Sequence, residues 1–270
     1  MIPKTSIQRL SSRLSIPEKN IEQDYVISWI LIGLTYSDLH KFLLFKGGTA
    51  LKKFYFKDYR FSEDLDFTLV KDIPRDRIRE ELRKTFVKIS ELANIPLQLS
   101  EREESFANTY ALFINYSGPL GADISRGEIK TDITINEELI HQPKEKTLSK
   151  EYDEYYDLLY DRAIMVYDIK EIFIEKLCCL LARIEPRDLY DLHYLLNTGD
   201  IDQELLTEDF KKKAASKKVK PENLRNKIDK NKRRLEELWE GRLKNQLLDL
   251  PEFDSVYREL KRALKAAKFI

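Results

Sequence analysis

Cysteine, histidine, long apolar runs and net charge are all scarce in this chain of 270 residues. Its two cysteines are neighbours, Cys178 and Cys179. Adjacent thiols cannot build a disulfide framework or a cysteine-rich zinc site. They lie in an apolar run, which predicts buried free thiols in a reducing compartment. The three histidines, His40, His141 and His193, are scattered, so neither a Ser-His-Asp nor a Cys-His arrangement is legible. No apolar run approaches the ~20 residues of a membrane span. The N-terminal MIPKTSIQRL lacks the apolar core of a signal peptide. Together these absences predict a cytoplasmic protein with no membrane partner.

Charge itself is abundant. Asp, Glu, Lys and Arg make up 35% of the residues, against roughly 25% in an ordinary domain. The 47 cations balance the 47 anions, but unevenly along the chain. Residues 1–210 carry 28 Lys+Arg against 38 Asp+Glu, and residues 211–270 carry 19 against 9. A basic tail on an acidic body suits a polyanionic partner, and it equally suits a solvated helical surface.

Periodicity divides the chain in two. Residues 1–19 are polar and predicted to be partly irregular. Apolar residues at helical spacing follow from about Asn20 to Ser37. Phe42–Phe45 reads as a short buried strand closing on Gly47-Gly48, with Thr49 placed to cap a short helix over Ala50–Tyr55. Leu65–Val70 reads as a strand, Pro74 opens a charged helix to about Asn94, and 97–100, 109–117 and 127–135 read as strands. Asp168–Ile184 has one apolar face at helical spacing, and Pro186 starts a helix through Leu196. Lys211–Lys213 and Lys217–Pro221 look like a linker or a helix corner, and 222–268 reads as helical and basic. The pattern predicts an α+β fold: a mixed sheet with helices over residues 1–160, and an all-helical part over 161–270.

The stretch FLLFKGGTALKKFYFKDYRFSEDLDFTL, residues 42–69, carries the chemistry. A strand ending in two glycines before a helix start lets backbone N–H groups approach a triphosphate. Asp64 and Asp66, two apart on a strand, share a face. Two such carboxylates suit Mg²⁺ or Mn²⁺, held by oxygen ligands for in-line displacement at phosphorus. Sites of this kind call for a third acid from a neighbouring strand, and Asp132, between apolar neighbours, is the best placed. Each element alone has a bland reading: an ordinary turn, paired surface acids, or an edge-strand acid.

Four blocks resemble the AbiEii/MenT family of nucleotidyltransferase toxins, within the DNA polymerase β-like nucleotidyltransferase superfamily. They are Lys46-Gly47-Gly48-Thr49-Ala50-Leu51, then Arg60-Phe61-Ser62-Glu63-Asp64-Leu65-Asp66-Phe67, then Glu171–Leu177, and lastly Arg183 with Arg187–Leu192. They fall in the family's order across residues 42–192. The 15 residues between Gly48 and Asp64 make a longer gap than in compact polymerase β-like enzymes. The resemblance implies a nucleotidyltransferase-type sheet with Asp64 and Asp66 as metal ligands. It also implies a nucleotide site of Lys46, Gly47, Gly48, Thr49, Ser62, Lys176 and Arg187. Lys176 would place an ammonium on the triphosphate. Asp188 and Asp191, three apart on one helix face, would orient Lys176 and Arg187 or accept the acceptor's proton.

The implied reaction is transfer of a nucleoside monophosphate from an NTP to an acceptor. By resemblance the acceptor is the 3′ end of tRNA, the role is that of a toxin, and a cognate antitoxin is the partner. The basic tail, with Lys211, Lys212, Lys213, Lys217, Lys218, Lys232, Arg233 and Arg234, would track an RNA backbone. Two alternatives share the sequence features: nucleotidylation of a protein Tyr or Ser hydroxyl, and a non-catalytic nucleotide- or RNA-binding module.

Overall fold

A computed structural model describes residues 1–159, 162–198, 201 and 206–270. The chain divides into two units. One comprises Met1–Glu137 with Pro143–Tyr167, the other Glu138–Gln142 with Asp168–Ile270. The boundary expected at 160/161 falls on residues outside the described ones.

The first unit begins with helix α1 (Lys4–Leu14), within the segment expected to be partly irregular. Its sequence is polar except for one stripe, and Ile7 on that stripe packs with Ile16 and Ile21 in a small apolar cluster. Helix α2 (Glu18–Leu34) is buried on every side from Ile21 to Leu34. A Cβ on Gly33 would come within 2.5 Å of Ile89, so the glycine lets this helix press against the next long one. The order continues with β1 (Leu43–Lys46), α3 (Gly47–Ala50), a π-helical turn at Leu51–Tyr55, β2 (Leu65–Leu69) and α4 (Arg75–Ala93). Then come β3 (Leu97–Ser105), β4 (Thr109–Tyr116), β5 (Gly127–Thr134), β6 (Lys144–Lys146) and β7 (Ile164–Val166).

The seven strands form one mixed sheet in the order β3-β4-β5-β2-β1-β7-β6. Strands β2 and β5 are parallel, as are β1 and β7, and the other pairs are antiparallel. Leu65, Phe67, Ile129 and Ile133 point to one face and are buried, and α2 and α4 contact strands of the sheet. The alternate residues point to the other face, where Asp66, Lys130 and Asp132 are half-buried. Strands β6 and β7 were not anticipated: each is three residues long, too short for alternation to declare itself.

A buried charge cluster fixes the glycine-turn region from behind. Lys53, fully buried in the π-helical turn, is ion-paired to Asp24 of α2 at 2.7 Å and to Glu151. Tyr152 donates to Asp24 at 3.0 Å, and Lys52 reaches Glu151 at 3.0 Å. Burial alone would raise the Asp24 carboxyl, but the Lys53 and Lys52 charges outweigh it and hold it below the usual range. Burial alone would lower the Lys53 ammonium, but Asp24 and Glu151 outweigh it and raise it.

The second unit is helical: α5 (Ile169–Ala182), α6 (Pro186–Asn197), α7 (Thr207–Ser216), α8 (Leu224–Lys230), α9 (Lys232–Leu243) and α10 (Phe253–Ala266). Asp168 caps α5 by accepting from the Lys170 N–H at 2.8 Å. Helix α5 is wrapped more fully than its single apolar face suggested, with Ile174 and Cys178 buried beside Ile172, Phe173 and Leu177. Residues 211–213 lie inside α7, not in a linker. Lys213 corrects the basic-tail reading. It is fully buried, ion-paired to Glu171 at 2.8 Å, and donates to the Glu138 carbonyl at 2.6 Å. The other Glu171 oxygen accepts from the N–H groups of Ile140 and His141, which fastens residues 138–142 to this unit. Both cysteines are free, and burial pushes each thiol up to about 12. Among the described residues no helix is long and apolar enough to cross a membrane.

The Lys53 cluster generates a test. Lys53→Met strands buried carboxylates and should cost about 3–5 kcal/mol in urea unfolding. Asp24 stabilises the fold fully above its unfolded pKa of about 3.9 and loses that contribution as pH falls through its lower folded value. The variant should therefore also have a flatter acid limb of stability against pH. A loss under about 1 kcal/mol would mean that the cluster is effectively solvated.

Candidate active site

The site grows from the turn after β1. Gly47 adopts φ +80°, a backbone conformation that disfavours any residue with a Cβ. It must also be glycine for space, since a Cβ there would run into the Asp66 carboxylate. At Gly48 a Cβ would meet the Arg60 guanidinium at 2.6 Å and the Ser62 hydroxyl at 3.5 Å. The two glycines thus let main chain lie directly against the side chains of the second motif. Thr49 completes the junction by donating its hydroxyl to the Asp64 carbonyl at 2.6 Å. This corrects its expected role as a helix cap: the helix begins at Gly47, with Lys46 in the cap position. The first two motifs, with 15 residues between Gly48 and Asp64, are therefore stitched together through backbone.

Sheet register gathers the acids. Asp66 stands opposite Lys46 in the antiparallel β1–β2 pair and opposite Asp132 in the parallel β2–β5 pair. Asp64 lies one residue ahead of β2, outside the paired strand, while registered neighbours such as Asp66 and Asp132 share a face. Lys130, two residues before Asp132, lies there too and donates to Asp132 Oδ2 at 2.7 Å. The second oxygen, Asp132 Oδ1, is buried and accepts no hydrogen bond. Beside them, Thr68 and the Tyr167 hydroxyl share a hydrogen bond of 2.6 Å, and the Lys46 ammonium stands 5.5 Å from the Tyr167 ring centre.

This donor set fits a hard divalent cation in type: carboxylates of two adjacent strands share a sheet face, and one of their oxygens is buried and unsatisfied. Among the described residues no three acids converge closely enough to hold an ion as they stand. At Asp132 one oxygen is held by Lys130.

The third and fourth motifs form a separate cluster inside the helical unit. Lys176 on α5 is nine-tenths buried, with its ammonium 2.7 Å from Asp188 Oδ1 and 2.8 Å from Asp191 Oδ2, both on α6. Arg183 approaches Asp188 at 3.1 Å. Burial alone would raise the Asp188 carboxyl, but the Lys176 and Arg183 charges keep it below the usual range. A snorkelling surface lysine is excluded. Asp188 is more than a helix N-terminal acid, since it holds a buried cation. Arg187 is half-buried on α6. The histidines are structural: His40 contacts the Ser37 carbonyl, His141 pairs with Asp209 and His193 with Glu259. Sequence reasoning left Arg60 and Lys130 out of the site. Strand alternation from Asp132 was signal enough for Lys130, whereas Arg60 lies in the connection ahead of β2, where no periodicity places it.

Several solved structures share this architecture. MenT4, a nucleotidyltransferase toxin from Mycobacterium tuberculosis, superposes with TM-score 0.65 at 14% identity, covering 100% of this chain and 91% of that one. JHP933 from Helicobacter pylori superposes with TM-score 0.57 at 17% identity, covering 93% of both chains. No curated protein sequence matches the chain. Residues 29–262 match the family model described as nucleotidyl transferase AbiEii toxin, type IV toxin–antitoxin system. That match spans all four motifs and both units, and the chain belongs to the AbiEii nucleotidyltransferase toxin family.

Proposed function

We propose that the chain transfers a nucleoside monophosphate from an NTP to an acceptor hydroxyl of RNA, the 3′ end of tRNA, and that an antitoxin restrains it in the cytoplasm. The observation that carries this reading is the registered pair of Asp66 and Asp132 beside the glycine backbone at 47–48. The acceptor oxygen forms a bond to the α-phosphorus and its proton passes to water, the bond from that phosphorus to the α–β bridging oxygen breaks, and pyrophosphate leaves with the electron pair.

Asp64, Asp66 and Asp132 are the proposed ligands of Mg²⁺ or Mn²⁺. When bound there, the metal would neutralise the phosphates and favour ionisation of the attacking hydroxyl. The N–H groups of Gly47 and Gly48, with the Ser62 hydroxyl, line the phosphate path. Lys46 and Thr49 shape that turn. Lys176 and Arg187 are the proposed nucleotide cations, and Asp188 and Asp191 fix the Lys176 ammonium. The basic tail offers RNA less charge than its composition suggests. Lys213 is buried, and Lys211, Lys212, Lys217, Lys232 and Arg233 are each paired with an acid.

Labelled NTPs offered with total tRNA and lysate protein test the reaction and its acceptor together. Label should pass to tRNA, and Asp64→Ala or Asp66→Ala should reduce transfer by at least about 100-fold with an unchanged circular dichroism spectrum. Label on protein alone would overturn the RNA acceptor, and wild-type rates in either variant would overturn the metal assignment.

Lys176 needs a subtler test, because removing it leaves two carboxylates buried without their cation. Pairing Lys176→Met with Asp191→Asn removes one charge of each sign and should restore folding. NTP affinity of this double variant should still fall about 10- to 100-fold, the loss of one charge-assisted contact. Wild-type NTP affinity in the folded double variant would limit Lys176 to a structural role.

A further inference from the structure

Lys130 is absent from the motifs, yet its ammonium holds the acid that the proposed metal site needs. The pair is intimate, at 2.7 Å, but loosely set: Lys130 is 34% exposed and Asp132 23%. Strand β5 carries the two residues at alternate positions, so both face the same way as Asp66. The lysine takes one carboxylate oxygen and leaves the other buried and unsatisfied. Such a pair in partial contact with water is worth about 0–1 kcal/mol. A divalent ion binding the same carboxylate brings twice the charge and can outcompete it.

We propose that Lys130 is a counter-ion placeholder for the metal. It neutralises Asp132 while the metal is away, and it yields the carboxylate when the metal binds. Its flexible four-carbon stem leaves the freed ammonium on the same face, where it contacts the phosphate oxygens of the incoming nucleotide. The inference rests on the reading of Asp64, Asp66 and Asp132 as metal ligands. It assigns one residue two successive partners, first a carboxylate and then a phosphate.

The two roles predict opposite signs for one substitution. With Mn²⁺ as the probe, free ion is counted by electron paramagnetic resonance in the absence of nucleotide. Lys130→Met should bind Mn²⁺ about 2- to 5-fold more tightly than the wild type, the factor that matches release of a pair worth up to 1 kcal/mol. In an Asp132→Asn background the same substitution should change nothing, because no pair remains to break. A general effect of removing one positive charge would persist there and would overturn the placeholder role. Affinity for a non-hydrolysable NTP analogue with Mn²⁺ should move the other way, falling in Lys130→Met. A rise in step with the metal would overturn the transfer to phosphate. Wild-type protein that binds no Mn²⁺ would sink the metal-site reading and this inference together. Mn²⁺ binding to wild type that Lys130→Met leaves unaltered would sink this inference alone.

Discussion

The closeness of Gly47 to the Asp66 carboxylate is the constraint on which the site depends. A backbone at φ +80° with no side chain lets β1 turn directly over the acid of β2. This works only in the register that sets Lys46 opposite Asp66 and Phe45 opposite Phe67. A slip of one residue would send Asp66 to the apolar face and Phe67 to the wet one. The register is held by burial: Phe45 and Phe67 lie with ring centres 5.0 Å apart in the core, and exposing both would cost several kcal/mol at about 1.5–3 kcal/mol each. The hydrophobic face of the sheet thus determines the geometry of the polar face.

That coupling explains what could be read from residues alone. Gly47-Gly48 and Asp64-x-Asp66 are local patterns, and their strand–turn–helix–strand setting follows from short-range alternation. Asp132 stood out in the sequence because it sits between apolar neighbours, and the register sets it opposite Asp66. The partner of each strand was not legible, since nothing local says that β2 pairs in parallel with β5 across the 57 intervening residues, 70–126. Helix α1 was missed because its burial rests on few apolar residues, Ile7 chief among them. Strand β7 was missed because three residues ahead of a helix carry no period.

Lys213, read as part of an exposed basic tail, lies buried, as do Lys53 and Lys176, and for one physical reason. Sequence assigns an ammonium to solvent, because a lone buried charge is prohibitive. The fold escapes that penalty by supplying acids from distant segments. Asp24 and Glu151 reach Lys53, Glu171 reaches Lys213, and Asp188 and Asp191 reach Lys176. Part of the 35% charged fraction is therefore interior wiring, where a solvated surface was the simpler expectation. In the basic tail this holds for Lys213 alone, the other paired cations lying at the surface.

Burial also separates the lysines by what they can do. Lys176 is held by two acids that are almost wholly out of water. Its ammonium cannot leave without stranding both, so it serves as a fixed charge. Lys130 is held by one acid, with about a third of its side chain in solvent. Water can replace each partner as the other departs, so this pair can exchange at small cost. The two pairs thus differ in kind: a charge buried among two acids is fixed and preorganised, and a half-exposed one is a counter-ion that water can replace.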